Sequence, residues 1–279
     1  MKYTVLMSVY AEDSPEFLRL ALKSIWDDQT RKPDEVVVVF DGPLKSAQTD
    51  VLNAFREGKE EQVIYVELEH GMGLGDSLRI GTDYCTGDYI FRMDSDDISH
   101  PDRFRVQAEY METHPEIDVC GTDIAEFVNT PEDAVRVRAC PAKHEDIVAM
   151  SRSRNPMNHM TTCIRLSALK DCGGYLKLLL LEDYYLWLRM INAGAKLANI
   201  NQSLVYVRVG NGFEQRRGSC LRIAGWDFLQ EYMIRNEFIS RPRALMNRIY
   251  IRGFVWTPAW VKKVLYNTVL RRKNAGKAA

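Results

Sequence analysis

The chain has 279 residues, of which 46% are hydrophobic and 27% are charged, and its formal net charge is −1. This composition is typical of a globular protein with a sizeable core, and it excludes a disordered or fibrous chain. The balanced charge also excludes a protein built as a whole to attract nucleic acid.

The first half of the chain alternates predicted strands and helices. Residues 3–9 form an apolar strand, and a helix capped by Ser14 begins at Pro15. Three more strands are predicted at 36–40, 63–68 and 89–93, with helices after the glycines of 71–75 and over 101–111. Strands joined by helical crossovers predict an α/β fold, with an open, mostly parallel sheet and helices on both faces.

The alternation weakens from about residue 117. Strands at 161–165 and 204–209, and helices at 182–193 and from about 219 to 235, indicate an α+β half that completes the same domain. We therefore divide the chain into a domain of residues 1–237, whose halves meet near residue 115, and a tail of residues 238–279.

Polar residues follow three of the predicted strands. Tyr10 and Glu12 follow the first strand, Asp41 follows the second, and Asp94 follows the fourth. In parallel α/β sheets, ligands bind beyond the carboxyl ends of the strands. The sequence therefore predicts a ligand site at this edge of the sheet.

The segment Asp94-Ser95-Asp96-Asp97 places three carboxylates within four residues. A turn that caps the next helix explains this pattern about equally well. In the functional interpretation the segment holds Mg²⁺ or Mn²⁺, hard cations that bind one or two carboxylates together with substrate phosphates. Such a cation anchors a diphosphate that bare carboxylates would repel, and it stabilises the charge of the departing group.

Two other segments carry weaker signals. The glycines Gly71, Gly73 and Gly75 precede a helix, where they would cradle a phosphate or simply form a tight turn, and their spacing does not match a dinucleotide fingerprint. Glu182 and Asp183 open another helix, where the helix dipole favours acids. Beside a metal–diphosphate site, a carboxylate there is the expected general base for a hydroxyl proton.

The tail is basic and aromatic. After Glu237 there are ten Lys or Arg residues and no Asp or Glu, and Phe254, Trp256, Trp260 and Tyr266 are aromatic residues that lie among them. One predicted helical face carries Val261, Val264, Leu265, Thr268 and Val269, and the other carries Lys262, Lys263, Arg271 and Arg272. This pattern is typical of an amphipathic helix on an anionic membrane surface. The alternative is a terminal helix that docks on the domain and leaves a solvated basic face.

Cysteine spacing and hydropathy suggest the compartment. The six cysteines include no Cys-x-x-Cys pair, which favours reduced thiols over a zinc site or a disulfide framework. The apolar run at the N-terminus is too short for a signal peptide, and no stretch approaches the ~18 apolar residues of a spanning helix. We therefore expect a chain that is neither secreted nor inserted across a membrane.

Taken in order, these segments resemble glycosyltransferase family 2. The resemblance covers residues 3 to about 220 and rests on the strand 4–10, Asp41-Gly42-Pro43, the glycines of 71–75 with Arg79, Asp94-Ser-Asp-Asp97, and Glu182-Asp-Tyr-Tyr-Leu-Trp-Leu-Arg189. The segments 155–159, 206–210 and 216–218 resemble bacterial O-antigen and exopolysaccharide hexosyltransferases in particular.

The resemblance implies a GT-A fold with a nucleotide-binding half of about 1–115 and an acceptor half of about 116–237. It implies transfer of a hexose, with inversion, from a UDP-sugar to an undecaprenyl-diphosphate-linked sugar, with Mn²⁺ or Mg²⁺ as cofactor. The tail would then hold the enzyme on the inner, cytoplasmic face of the cell membrane. The sequence has no Gln-x-x-Arg-Trp motif, which favours one sugar per encounter over a processive synthase.

Carried over residue by residue, the resemblance also implies roles for individual side chains. The predicted contacts to the nucleotide sugar are Tyr10, Glu12, Asp41, Arg79, Asp94 and Ser95. Asp94 and Asp96 are the predicted metal ligands, and Asp183 is the predicted base. Glu182, His159 and Arg208 are weaker candidates for contacts to the diphosphate or the acceptor.

Two other interpretations remain open from the sequence. A nucleotidyltransferase that makes sugar nucleotides normally has a Gly-rich basic loop after the first strand, where this chain has Ala11-Glu12-Asp13. A non-catalytic carbohydrate-binding or scaffold protein would tolerate the loss of the acids, all of which are present.

Overall fold

The computed structural model describes residues 1–134, 136–209 and 221–257, together with the backbone of 272–273. The strands of its first half are β1 (Tyr3–Val9), β2 (Glu35–Phe40), β3 (Val63–Glu67) and β4 (Tyr89–Met93). The helices between them are α1 (Pro15–Ile25), α2 (Ser46–Arg56) and α3 (Leu74–Thr82). The four strands predicted here are confirmed to within one residue at each end, whereas α2 was not predicted.

The second half contains more elements than the sequence pattern indicates. Its strands are β5 (Ile98–Ser99), β6 (Val119–Phe127), β7 (Arg136–Arg138), β8 (Cys163–Arg165) and β9 (Leu197–Arg208). Its helices are α4 (Arg103–Thr113), α5 (His144–Ser151), α6 (Leu166–Asp171) and α7 (Glu182–Asn192). The strand predicted at 161–165 is shorter because His159–Thr161 forms a 3₁₀ turn. The strand predicted at 204–209 is longer and begins at Leu197.

Two helices and a short strand complete the described chain. They are α8 (Leu221–Arg235), α9 (Arg241–Trp256) and β10 (Arg272–Lys273). Most of the predicted amphipathic face of the tail, including Val261 and Val269, lies outside the described residues. Arg272 was predicted on a helix, and this was wrong because it pairs with β7 in a strand.

The described strands form one sheet in the order β10-β7-β6-β8-β4-β1-β2-β3, with β9 along β6 and β5 along β9. The half built from β3, β2, β1 and β4 is parallel throughout. Beyond β4 the sheet is mixed, since β8 runs antiparallel to β4 and β6 whereas β9 runs parallel to β6. The predicted α/β sheet is thus confirmed, with its parallel part confined to the first half.

Two cores cover the two faces of this sheet. Alternate residues of β1 point to opposite sides, so that Met7 packs under α1, α2 and α4 while Leu6 packs under α3, α5, α6 and α7. A strand buried on both faces is expected to be largely apolar, which explains why β1 is apolar except at Thr4 and Ser8. The helices therefore hold the strand ends rigidly.

A third core joins the end of the chain to the domain. Leu181, Tyr184 and Leu188 at the start of α7 pack against Trp226 of α8 and Ile251 of α9. Tyr184 is fully buried and donates to the carbonyl of Ser151. The first helix of the predicted tail is therefore packed against the helix that begins with Glu182 and Asp183.

Candidate active site

Three loops meet where the parallel strands end. The strands β4, β1 and β2 are neighbours in that order, so the segments that follow them lie side by side. Asp13 of the first loop accepts a hydrogen bond from the hydroxyl of Ser95 at 2.7 Å, which joins the loop after β1 to the loop after β4. The loops after β1 and β4, which the sequence predicts at one sheet edge, are therefore in direct contact.

The centre of this edge is a cluster of three acids. Carboxylate oxygens of Asp94, Asp96 and Asp97 lie within 4.8 Å of one another. Asp97 is almost fully buried, and it accepts a hydrogen bond from the backbone N–H of Arg208 at 3.0 Å. Burial raises the pKa of Asp97 well above its usual range, and the charges of the two neighbouring carboxylates add to this effect.

A buried arginine lies behind the cluster. Arg92 occupies the fourth position of β4 with 1% of its surface exposed, and its guanidinium pairs with the carboxylate of Asp94. Among the described residues, Nε of Arg92 has no hydrogen-bond partner. The carbonyl of Arg92 accepts from Nη2 of a second buried arginine, Arg103, at 2.8 Å. Sequence reasoning missed Arg92, although a charged residue in the otherwise apolar Tyr-Ile-Phe-Arg-Met strand was a usable signal.

The loop after β1 contains two predicted contacts to the nucleotide sugar, Tyr10 and Glu12, which lie in different surroundings. Tyr10 is 47% exposed, and its backbone N–H donates to Asp13, the same carboxylate that holds Ser95. Glu12 points outward and forms an ion pair with Lys45 at 2.9 Å. Asp13, which the sequence analysis passed over, is therefore the acid that organises this loop.

Asp41 ties the end of β2 to the glycine segment after β3. Its carboxylate accepts from the backbone N–H groups of Met72 at 2.6 Å and Gly73 at 3.0 Å. A Cβ on Gly42 would lie 2.7 Å from the nitrogen of Gly71, so only glycine permits this approach. Arg79 lies further along α3, 44% exposed, with Nε 3.8 Å from Asp76.

The second half contributes the start of α7. Asp183 is held from two sides, because the side-chain amide of Asn155 donates to one carboxylate oxygen and the backbone N–H of Tyr184 donates to the other at 2.7 Å. Asn155 precedes Pro156 in a segment that the sequence analysis quoted only for its family resemblance. An amide and a backbone donor fix the orientation of the Asp183 carboxylate.

Glu182 faces a different neighbour. A Cβ added to Gly75 would lie 2.9 Å from Cγ of Glu182, so the Glu182 side chain packs against the first turn of α3. Burial raises the pKa of Glu182, and hydrogen bonds from its own backbone N–H and from those of Leu180 and Leu181 oppose that shift. Lys177 in the same segment donates to the carbonyl of Met72 at 2.7 Å, which closes the α7 segment onto the glycine loop.

Tyr175 connects the two halves of the site. It is fully buried, and burial raises the pKa of its hydroxyl; the charge of Arg92 opposes this rise, and the charge of Asp183 adds to it. His159 lies behind it, with Nε2 3.1 Å from the Tyr175 hydroxyl and its ring packed edge-on against Trp187. Burial lowers the pKa of His159 well below its usual range, and the charge of Arg92 lowers it further. His159 is therefore a neutral residue of the core in this structure.

Arg208 borders the acidic cluster. Besides the backbone hydrogen bond to Asp97, its Nε lies 3.4 Å from the carbonyl of Asp96. The guanidinium lies over the rings of Phe17 at 3.8 Å and Phe127 at 4.6 Å. Two aromatic rings thus hold a permanent positive charge beside the three acids, a suitable place to meet a phosphate.

The acidic cluster fits a divalent cation. Its ligand atoms are all carboxylate oxygens, which are the donors that Mn²⁺ and Mg²⁺ prefer, and they are close enough together to share one ion. Arg92 offsets part of the repulsion between the three acids without offering a ligand atom to the ion. The site thus combines a cation-binding cluster, a cationic side chain at its rim and an oriented carboxylate from the second half.

Sequence comparisons agree on one family. The chain matches the profile described as glycosyl transferase family 2 over residues 4–173. An uncharacterized glycosyltransferase of Haemophilus influenzae is 42% identical, over 98% of this chain and 100% of its own length. The amylovoran biosynthesis glycosyltransferase AmsE of Erwinia amylovora is 34% identical, over 91% of this chain and 90% of its own length. The UDP-Gal:alpha-D-GlcNAc-diphosphoundecaprenol beta-1,3-galactosyltransferase of Escherichia coli is 32% identical, over 97% of both chains.

Solved structures confirm the GT-A fold that the resemblance implied. TarS 1-349 of S. aureus in complex with UDP-GlcNAc aligns with a TM-score of 0.66 and 14% identity, covering 96% of this chain and 76% of its own. The mannosyltransferase PcManGT of Pyrobaculum calidifontis, in complex with GDP-Man and Mn²⁺, aligns with a TM-score of 0.62 and 15% identity. The alignment covers 96% of this chain and 80% of that chain. At these identities the likeness concerns the fold alone.

Proposed function

Because the chain belongs to glycosyl transferase family 2, we propose that it transfers a hexose from a UDP-sugar to a hydroxyl of a lipid-diphosphate-linked sugar, with inversion at the anomeric carbon. The E. coli relative supports this acceptor class, since it is named as a galactosyltransferase that acts on alpha-D-GlcNAc-diphosphoundecaprenol. The Erwinia relative, named for amylovoran biosynthesis, supports a role in bacterial surface polysaccharide assembly, as an O-antigen or exopolysaccharide enzyme.

One structural observation supports the proposal: the segment that leads into Asp183 contacts the glycine segment at the same sheet edge as the acidic cluster. Lys177 donates to the carbonyl of Met72 at 2.7 Å, and the backbone N–H groups of Met72 and Gly73 donate to Asp41 at the end of β2. A donor diphosphate anchored at the cluster would therefore lie at the same edge as a carboxylate from the other half. An inverting displacement needs this arrangement, with the leaving group and the base on different walls of one site.

In the proposed reaction the acceptor oxygen bonds to the anomeric carbon as the bond from that carbon to the diphosphate oxygen breaks. The bonding electron pair leaves with UDP, and Asp183 takes the proton of the acceptor hydroxyl. Asn155 and the N–H of Tyr184 hold the Asp183 carboxylate in place without neutralising it. Glu182 is engaged by backbone N–H groups and by the packing against Gly75, which supports Asp183 over Glu182 as the base.

We further propose that Asp94 and Asp96 hold Mn²⁺ or Mg²⁺, which would neutralise charge on the diphosphate when bound. We also propose that Tyr10 and Asp41 contact the nucleoside and that Arg208 contacts a phosphate; the exposure of Tyr10 and the position of Arg208 beside Asp97 support these roles. Contacts of Glu12, Arg79 and Ser95 with the donor stay predictions, as do contacts of Glu182 and His159 with the diphosphate or acceptor.

The proposed place of work is the inner, cytoplasmic face of the cell membrane, with the enzyme bound peripherally. A lipid-linked acceptor stays in the bilayer, and the segment after Glu237 carries ten basic residues and no acid. Among the described residues, no helix is long and apolar enough to cross a membrane. A basic segment beside anionic headgroups would provide the attachment.

The other interpretations have less support. A nucleotidyltransferase would release diphosphate from a nucleoside triphosphate, yet the matched family and its named relatives are glycosyltransferases. The loop after β1 is moreover organised by Asp13 instead of a basic phosphate-binding residue. A non-catalytic scaffold would not need a carboxylate oriented by two donors.

The test is a donor screen. Purified protein is incubated with bacterial membranes and a panel of labelled UDP-hexoses in the presence of Mn²⁺. We expect one donor to release UDP and to label the lipid fraction, with inverted configuration in the product sugar. Release of diphosphate from nucleoside triphosphates instead, or no labelled lipid with any UDP-hexose, would overturn the proposal.

A further inference from the structure

The helix α9 has an apolar face that points away from the domain. Five large side chains are exposed along it: Leu245 at 58%, Met246 at 62%, Ile249 at 63%, Tyr250 at 68% and Trp256 at 83%. They lie on one side of the helix, because Leu245 and Ile249 are four residues apart, as are Met246 and Tyr250, and Trp256 follows Ile249 by seven. Single apolar residues on a surface are ordinary, whereas a contiguous set on one helix face marks an interaction site. We call these five residues the outer face of α9.

The opposite face of α9 is fixed to the domain. Ala244, Asn247, Ile251 and Val255 are buried in the core shared with α7 and α8. The side-chain amide of Asn247 donates to the carbonyl of Arg152 and to Gln230, both at 2.9 Å. Arg248 and Arg252 form ion pairs with Asp227 of α8. The outer face is therefore the solvent side of an anchored helix.

We infer that the outer face of α9 is a membrane-docking surface that lies in the headgroup region of an anionic bilayer. The charge of the chain supports this occupant, because α9 itself carries four arginines and no acid follows Glu237 in the sequence. The arginines flank the apolar side chains, and Arg241 and Arg243 are exposed at the start of the helix. Apolar residues with a basic border are what an in-plane interfacial helix requires.

The position of α9 relative to the site supports the same occupant. The core that buries its inner face contains Leu181 and Tyr184, which flank Glu182 and Asp183. A bilayer against the outer face would therefore lie across this shared core from the predicted base. A lipid-linked diphosphate held at the headgroups would then have its sugar within reach of the site. This step rests on the proposed function, since it assumes a lipid-linked acceptor.

The test compares two double variants of the full chain. The α9 variant, Ile249→Gln with Trp256→Gln, replaces two of the five apolar side chains of the outer face. The control variant, Tyr84→Gln with Val128→Gln, replaces two apolar side chains elsewhere on the protein that are 49% and 60% exposed. Each protein is sedimented with vesicles of mixed phosphatidylglycerol and phosphatidylcholine at low salt. Burying one large apolar side chain changes partitioning by about tenfold or more. We therefore expect the α9 variant to lose at least about tenfold in vesicle binding and the control variant to match the wild type.

Thermal melting and UDP titration in the presence of Mn²⁺ accompany the sedimentation. We expect both variants to melt and to bind UDP like the wild type, because the substituted side chains are exposed and the predicted donor contacts lie on other loops. The docking surface is overturned if the α9 variant binds vesicles as well as the wild type does. It is also overturned if the wild type is a dimer that the α9 variant converts to monomers while vesicle binding stays unchanged. A wild type that binds vesicles through α9 but binds no UDP would contradict the proposed function alone.

Discussion

The guanidinium of Arg92 lies against the carboxylate of Asp94 from inside the protein, at the base of the acidic cluster. Arg92 is 1% exposed, whereas Asp94 keeps 31% of its side chain accessible at the surface. A charge buried this deeply is stable only if it is paired. The cluster of acids and the arginine behind it are therefore one unit, in which the arginine holds Asp94 at the site.

The first prediction concerns that pair. Arg92→Met removes the buried charged partner of Asp94. We therefore expect the free energy of unfolding, measured with urea, to fall by about 2–3 kcal/mol. Arg79→Met is the matched control, because Arg79 is 44% exposed and its Nε is 3.8 Å from Asp76. That control is expected to change stability by less than about 0.5 kcal/mol. Equal effects of the two substitutions would mean that Arg92 is not an important counter-charge.

The second prediction concerns the metal. We expect a chelator to abolish transfer and Mn²⁺ or Mg²⁺ to restore it, because three carboxylates within 4.8 Å of one another repel a diphosphate unless a cation binds. Asp96→Asn should lose metal-dependent binding of UDP-sugar, measured by titration calorimetry. Asp102→Asn, which changes an exposed acid at the start of α4, should bind the donor normally. Full turnover in excess chelator would remove the metal from the mechanism.

The third prediction concerns Asn155. Its side-chain amide fixes one oxygen of Asp183, and loss of that contact leaves the carboxylate free to turn. We expect Asn155→Ala to reduce the turnover number by about 10- to 100-fold while the affinity for UDP-sugar stays near that of the wild type. Asn155→Asp should slow turnover at least as much, because a second carboxylate repels that of Asp183 instead of donating to it. A turnover number unchanged in both variants would show that Asn155 does not act through Asp183.

The fourth prediction concerns pH and stability. The pKa of His159 is lowered well below 6.5 in the folded protein by burial and by Arg92, whereas an unfolded chain protonates this histidine near 6.5. Below that pH the unfolded state binds the extra proton, so His159 lowers stability by about 1.4 kcal/mol per pH unit until its folded pKa is reached. We expect His159→Gln to make the loss of stability between pH 6.5 and pH 5 shallower in urea titrations. Equal slopes in the two proteins would contradict a neutral His159.

The sequence predicts the first half of the fold well because its strands are buried on both faces. A run such as Val36 to Phe40 must be apolar throughout when helices cover both sides of the sheet. The strand β6 escapes this logic, since it includes Gly121, Thr122 and Asp123 yet is buried along its whole length. Its polar groups are paired inside the sheet, with Asp123 accepting from the backbone N–H of Cys140 at 2.9 Å. Pairing across distant segments cannot be read from local periodicity.

The residues of the candidate site differ in the same way in how far the sequence reveals them. Asp94, Asp96 and Asp97 were visible as a cluster because they are adjacent in sequence and follow a strand. Asn155 and Tyr175 became relevant only through contacts over 16 or more residues, such as the hydrogen bond between Tyr175 and His159. Arg92 pairs with Asp94 only two residues away, but its burial could not be read from the sequence. The exposed face of α9 was likewise hidden, because apolar and basic residues are interspersed along this helix and its buried side cannot be told from the sequence alone.

The most direct test of the account is transfer by two variants of adjacent acids. Wild type, Asp183→Asn and Glu182→Gln are assayed with Mn²⁺, the UDP-hexose that the donor screen identifies and a synthetic lipid-diphosphate-linked sugar, and UDP release and glycolipid are both measured. An amide cannot take the acceptor proton, so Asp183→Asn should turn over roughly 10²–10⁴-fold more slowly while still binding the donor. Glu182→Gln should retain most of the activity. Normal turnover by Asp183→Asn, with loss of turnover in Glu182→Gln, would contradict the assignment of the base.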